Sequence, residues 1–307
     1  MVETAVLFNP SSGRGRSMRN RRRIKDSLRR KNIDFDWLTS ENESHLRGLA
    51  RDAARNFSNL VVVGGDTTFQ IVASEILAGK EDPALGLLGA GSNNDVVHGL
   101  GDLGLQTLHD AIQARRTRRM DVGRIDIPGK ERPVIFLGAL SLGLGVHVNR
   151  HVAEFWKRHP LISRGGNLPQ LLAGIWGVRC FFRERSVPAR IRLKGAGREE
   201  EVDFSLLVFA NVPSYAGGLR LAPEVTPFNG RLDCCAVKSD SFSGTVGVAM
   251  RVLRGRHLRH PDVSLQTGRS FHVSSPVPLD IQYDGEILPG VDDFQVSAWP
   301  GALRVLC

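Results

Sequence analysis

The chain has 307 residues, with 41 Lys+Arg against 32 Asp+Glu and a formal net charge of +9. The whole excess sits in one segment: Arg14–Lys31 carries ten basic residues and one acid, Asp26, and the remainder is neutral. That distribution excludes a protein that coats nucleic acid over its entire surface, and the 41% hydrophobic content excludes a mainly disordered chain.

Taken in chain order, Thr4–Phe8 is a short apolar run that ends in Asn9-Pro10-Ser11-Ser12-Gly13, a turn signal. The basic run is expected on a helix, with Ile24 and Leu28 as a thin apolar stripe. Ile33–Leu38 alternates and predicts a strand, with Thr39 at its end. Leu46, Leu49, Ala50, Ala53, Ala54 and Phe57 share one helix face. Leu60–Val63 reads as a buried parallel strand. Phe69, Val72, Ala73, Ile76 and Leu77 mark the next helix, Ala84–Leu88 another strand, and Leu105, Leu108 and Ile112 another helix. Repeated strand–helix units predict an α/β fold whose parallel sheet is covered on both faces. From about Met120 strands dominate: Val134–Leu142, Ala189–Leu193, Val202–Ala210, Leu232–Val237 and Ser270–Val273, with helices expected over Val148–Trp156 and Leu168–Phe182. A second, β-rich domain is therefore expected, with the boundary near Met120–Gly123.

The uncharged stretch Val134–Val148 is too short and too Gly-rich to cross a bilayer, and no apolar signal core follows Met1. Cys180, Cys234, Cys235 and Cys307 lack the spacing of a metal site or disulfide framework. A reducing, cytoplasmic location is expected.

Three turns leave strands at one edge of the expected sheet. Gly64-Gly65-Asp66-Thr67-Thr68 joins a buried strand to an amphipathic helix, where backbone N–H groups and the helix dipole suit phosphate. Gly89-Ala90-Gly91-Ser92-Asn93-Asn94-Asp95 repeats the arrangement after the next strand, and Asn9–Gly13 leaves the first. Ligands of open parallel sheets bind beyond the carboxyl ends of the strands, so a nucleotide site is expected there. Asp66 is read either as a metal or hydroxyl contact or as a helix N-cap. No Gly-x-x-x-x-Gly-Lys-Ser/Thr, no Gly-x-Gly-x-x-Gly fingerprint and no Gly-x-Ser-x-Gly elbow occurs. Near the C-terminus, Tyr283-Asp284-Gly285-Glu286 reads either as a general base with a metal ligand or as a plain hairpin turn.

These motifs, with Met120-Asp121-Val122-Gly123, Ser141-Leu142-Gly143, Asn211, Tyr215-x-Gly217-Gly218 and Ala222-Pro223, resemble in order the diacylglycerol kinase catalytic-domain family, over roughly Val2 to Gly290. The resemblance implies a Rossmann-like N-terminal domain of the phosphofructokinase and NAD-kinase type (residues 1–122) and a C-terminal β-sandwich lipid-binding domain (residues 123–295). The tail, residues 296–307, is expected to return to the first domain. It implies ATP and Mg²⁺ as cofactors, held by Gly64, Gly65, Asp66, Thr67 and Thr68. Asn9, Thr39, Gly91, Ser92 and Asn94 would join the nucleotide site, with Asp95 bracing the second loop. Asp284 or Glu286 would be the base, and Asp66 and Glu286 the metal-side carboxylates.

Three departures stand out. Thr67 replaces the family's usual third glycine, a poor fit if that position needs φ > 0. Ser92 replaces a threonine. Asn229 stands where many members have an aspartate that binds a structural Mg²⁺, which makes that site doubtful. The expected activity is ATP-dependent phosphorylation of a hydroxyl of diacylglycerol or a related, sphingoid- or ceramide-like lipid. The competing readings are a catalytically impaired regulatory homologue and a kinase of a soluble acceptor. No nucleic-acid partner is expected, and a homodimer stays open. Peripheral contact with an anionic membrane is assigned to Arg14–Lys31, with Trp156-Lys157-Arg158-His159 and Phe181-Phe182-Arg183 as interfacial candidates.

Overall fold

The computed structural model describes residues 2–15, 17–101, 103–158, 189–195, 198–238 and 242–307. The first part alternates strands and helices: β1 (Thr4–Phe8), α1 (Ser17–Arg30), β2 (Phe35–Thr39), α2 (Glu43–Asn56), β3 (Asn59–Gly64), α3 (Asp66–Ala78), β4 (Ala84–Gly89), α4 (Asp95–Gly99) and α5 (Leu105–Gln113). β2, β1, β3 and β4 lie side by side in parallel, so the strand order reverses between β1 and β3. Alternation along these strands feeds two cores. Ala5, Leu7, Leu60, Val62, Leu85 and Leu87 meet the apolar stripes of α2 and α3. Val6, Phe8, Val61 and Val63 meet Ile24 and Leu28 of α1 and Leu108 of α5. Both faces are thus buried, as a parallel sheet requires.

The second part is built from β5 (Thr117–Asp126), β6 (Val134–Phe136), β7 (Ala139–Gly143), α6 (Leu144–Arg158), β8 (Ala189–Gly195), β9 (Arg198–Phe204), β10 (Leu206–Ala210), β11 (Ser214–Tyr215), β12 (Leu219–Arg220) and β13 (Leu232–Val237). It continues with α7 (Phe242–Leu253), β14 (Val263–Gly268), β15 (Ser270–Tyr283) and β16 (Glu286–Leu306). Strands β14-β13-β10-β7-β15 form one antiparallel branch; β9-β8 on β15 and β6-β5 on β16 form another. The branches close over Phe136, Leu140, Phe204, Phe209, Phe271 and Phe294, the core of a β-sandwich. β16 runs through both parts: Tyr283↔Glu286 opens its pairing with β15, and Arg304 and Val305 pair in parallel with β4. Among the described residues no helix is long and apolar enough to cross a membrane.

Two expected strands are each split, for identifiable reasons. Val202–Ala210 breaks at Ser205, whose N–H donates to the Val237 carbonyl at 2.8 Å and so takes the chain from one branch of the sandwich to the other. Val134–Leu142 breaks at Leu137 and Gly138, whose N–H groups turn away to the Asp284 carboxylate. Ser270–Val273 is only the start of a 14-residue strand, β15. β5, α7 and β16 were not legible as elements. The helix expected over Leu168–Phe182, the Phe181–Arg183 cluster and His159 lie outside the described residues.

Candidate active site

The three expected turns converge at the carboxyl ends of β1, β3 and β4. After β1, the Asn9 side chain donates to Thr68 Oγ1 at 3.0 Å, and Ser12 Oγ lies 3.3 Å from the same hydroxyl. The first turn is therefore tied to the first turn of α3. The Gly64–Gly65 step needs small residues for close approach. A Cβ on Gly64 would stand 2.4 Å from Thr68 Cβ, and one on Gly65 would stand 2.9 Å from the Gly91 Cα. Ala90 N–H donates to the Gly64 carbonyl at 2.6 Å, completing contact between the second and third turns.

Asp66 does not cap its own helix; Gly65 occupies that place, without a side-chain bond. Its carboxylate instead reaches the next loop and accepts from Val96 N–H at 3.0 Å. Burial pushes the Asp66 carboxyl up, opposed by the N–H groups at the start of α4. Thr67 lies within α3 and is not among the residues with positive φ, so threonine fits this position without strain. Its hydroxyl donates to the backbone carbonyl of Asp284 at 2.7 Å. Asn94 is left-handed (φ 56°) and spends its side chain on its own loop, accepting from Gly91 N–H at 2.8 Å. Ser92 is exposed beside it. Asp95 accepts from Gly217 and Gly218 N–H at 3.1 Å, which fixes the β11–β12 hairpin over the site. Burial, then repulsion from Asp66, raises its carboxyl to about 6. Thr39 is exposed at the end of β2, and its hydroxyl accepts from Trp37 Nε1 at 3.1 Å.

The Asp284–Gly285 step is a two-residue hairpin between β15 and β16, with φ of 43° and 97°. The turn is the hairpin that one of the two sequence readings gave, and Thr67 ties it to the Gly64–Thr68 loop. The Asp284 carboxylate sits in a cage of Leu137, Gly138 and Ala139 N–H groups at 2.6, 2.9 and 3.2 Å. Burial outweighs the cage and, with Asp66 nearby, raises it to about 7. Glu286 is half-buried, and its carboxyl is raised by burial and by Glu43, while Arg47 opposes. Arg47 itself pairs with Glu43 at 2.8 Å and Glu75 at 2.9 Å, tying α2 to α3. On the other side, Asn149 of α6 donates to the Gly285 carbonyl at 3.3 Å.

Asn229 Oδ1 accepts from Arg231 N–H at 3.0 Å, an Asx turn that satisfies its own loop. The neighbouring brace is Asp121, which accepts from Gly230 at 2.6 Å and Gly301 at 2.8 Å. No three His, Cys, Asp or Glu side chains among the described residues are grouped to hold a metal by themselves. The mutual influence of Asp66, Asp95 and Asp284 fits a divalent cation that arrives with phosphates, because Mg²⁺ commonly uses one or two carboxylates plus phosphate oxygens. Sequence reasoning missed the roles of Leu137–Ala139, of Arg47 with Glu43, and of Asp121. The visible signals were the i,i+4 spacing of Glu43 and Arg47 and the Met120–Gly123 motif that contains Asp121.

Comparison with known proteins bears on both parts of the chain. The "Diacylglycerol kinase catalytic domain" family matches residues 3–125, and the "YegS C-terminal NAD kinase beta sandwich-like domain" matches residues 176–307. A "Diacylglycerol kinase" of Mycobacterium tuberculosis is 27% identical over 313 residues, spanning 99% of this chain and 94% of that protein. One of Bacillus subtilis is 24% identical, spanning 94% and 92%. The crystal structure of a diacylglycerol kinase from Bacillus anthracis superposes with a TM-score of 0.75 at 19% identity, over 99% of this chain and 96% of that one, a likeness of fold. With a diacylglycerol kinase catalytic domain matched over residues 3–125, the YegS-type C-terminal domain over residues 176–307, and diacylglycerol kinases similar along nearly its full length, the chain is a lipid kinase.

Proposed function

We propose that the protein transfers the terminal phosphoryl group of ATP to a hydroxyl of diacylglycerol or a close relative. The observation that carries this reading is the junction at Thr67: its backbone opens α3 at the phosphate-type turn, and its hydroxyl holds the Asp284–Glu286 hairpin. Donor loop and carboxylate turn thus meet at one residue.

In this reading Gly64, Gly65, Thr67 and Thr68 present N–H groups to the phosphates, with Asn9 holding Thr68 in place. Gly91, Ser92 and Asn94 shape the nucleotide's second wall, and Asp95 braces it through Gly217 and Gly218. Thr39 lies at the sheet's far edge of the same site. Mg²⁺, when bound, supplies positive charge against the transferring phosphoryl group. Asp66 is the residue that would hold it, with Glu286 beside the acceptor. Of the two hairpin carboxylates, Glu286 is the better proton acceptor. Asp284 already accepts three backbone N–H bonds and serves better to position the turn. The unstrained Thr67 removes the main support for a catalytically impaired homologue. Contact with an anionic membrane through α1 is part of the proposal: Arg19, Arg22, Arg23, Arg29 and Arg30 are exposed, while Lys25 lies 4.5 Å over the Trp37 ring. Arg16 lies outside the described residues, as does the Arg14 side chain.

The test is incubation with labelled ATP, Mg²⁺ and vesicles carrying diacylglycerol, monoacylglycerol, sphingosine or ceramide. Label is expected in diacylglycerol, and Asp66→Ala and Glu286→Ala should each lower kcat by about a hundredfold or more without lowering Tm. Absence of label in every lipid, beside a working control kinase, sinks the proposal.

A further inference from the structure

The last turn of α7 and the segment after it form a basic, apolar-tipped surface that the phosphoryl-transfer site does not use. Val248 and Val252 are buried at i,i+4 and seat the helix on the sandwich with Val208, Leu221 and Val263. The opposite side is open: Leu253 is 67% exposed, Met250 42% and Leu258 38%. These are three of only six large hydrophobic side chains exposed among the described residues, and they fall within nine positions of one another.

The charge around them is of one sign. Arg251, Arg254, Arg256 and Arg259 lie between Ser241 and Pro261, a stretch with no aspartate or glutamate. Among the described residues, none of the four is ion-paired. Gly247, Met250, Arg251, Arg254 and Arg256 line one open hollow. Apolar tips surrounded by unpaired arginines complement an anionic bilayer, whose headgroups take the charge while the tips enter the acyl boundary. An acidic protein would match the charges but not the exposed leucines, and an apolar partner would leave four guanidinium groups buried and unpaired.

The position of this surface relative to the site is fixed by short links. Buried His257 donates through Nε2 to the Leu221 carbonyl at 2.9 Å, anchoring the segment after α7 just beyond β12. β12 pairs with β11, and Gly217 and Gly218 between them bind Asp95 of the site. We infer that the α7 end, with Met250, Leu253, Leu258 and Arg251, Arg254, Arg256 and Arg259, docks the protein on anionic phospholipid, separately from α1. The inference deepens the lipid-acceptor reading and rests on it for purpose, although its test does not.

The test is sedimentation of the full chain with vesicles of phosphatidylcholine, alone or mixed with phosphatidylglycerol, without ATP. Binding is expected only to the mixed vesicles. Arg254→Glu with Arg256→Glu should weaken it by more than tenfold, at about fivefold for each arginine lost. Leu253→Ser should weaken it severalfold. Arg22→Glu with Arg23→Glu reports the α1 contribution independently. Hydrogen exchange gives a second measurement on the unmutated chain: amides of residues 250–259 should gain protection on mixed vesicles. Unchanged binding of the α7 variants, equal binding to both vesicle types, or no protection at 250–259 overturns the inference. Turnover of a short-chain diacylglycerol in detergent by the α7 variants should match the parent. A parent that binds vesicles but phosphorylates nothing refutes the kinase reading and leaves the docking surface standing.

Discussion

The glycine-turn edge of the parallel sheet and the carboxylate hairpin meet at Thr67 but are made differently. The edge is mostly backbone and local: Gly64–Thr68 and Gly89–Asp95 each lie at a strand–helix turn, and they touch through Gly65 against Gly91 and through Ala90 N–H on the Gly64 carbonyl. The hairpin depends on distant partners. Asp284 is held by Leu137, Gly138 and Ala139 and by Thr67, none of them near it in sequence. The glycine turns can thus be specified by a short motif, whereas the hairpin needs the whole sandwich in register before its carboxylates are placed.

That contrast can be broken at three points. The largest effect is expected from Gly91→Val, whose Cβ would stand 2.6 Å from the Gly65 Cα. Overpacking here should cost about 2 kcal/mol of ATP affinity, near thirtyfold by calorimetry, while leaving the sandwich intact. Next comes Thr67→Val, which keeps the shape and removes the bond to the Asp284 carbonyl. A lost neutral hydrogen bond of about 1 kcal/mol predicts a fivefold fall in kcat with little change in nucleotide affinity. An equal loss in both would mean the hairpin and the glycine turns are one unit.

The third point concerns pH and reads stability in place of activity. Asp284 and Asp95 hold their protons more tightly in the fold, at about 7 and about 6 against 3.8. Their stabilising contribution is full below the unfolded value and is lost as pH rises through the folded ones. Tm should therefore climb by a few degrees from pH 8 to pH 5.5, on the order of 3 kcal/mol. Asp284→Asn should flatten the part of that slope near pH 7; an unchanged slope would show that the cage, rather than burial, sets this carboxyl.

The same division governs what the sequence reveals. β1, β3 and β4, the helix faces of α2 and α3, and all three turns are legible because period and turn chemistry act within a few residues. β5 reads poorly because its first three residues are exposed and Arg118 and Arg119 break the apolar pattern. β16 contains Pro289, Gly290, Pro300 and Gly301, each a turn signal on its own, yet its register is imposed by β15, β5 and β4. The role of Asp66 as an acceptor for Val96, rather than a cap of its own helix, depends on how closely two glycines bring their loops together. No local pattern encodes that distance.

The path of β16 has a consequence for biosynthesis. The parallel sheet of the first half emerges early from a ribosome, but the strand that flanks β4 is Arg304–Val305, translated after all of β5 to β15. Until then the edge of β4, with Ala84 and Leu85, faces solvent unpaired. A nascent chain therefore carries an open, apolar sheet edge until residues 304 and 305 have been made and can pair with it. Substitutions in residues 303–306 should therefore be felt first in how long that edge stays open during folding.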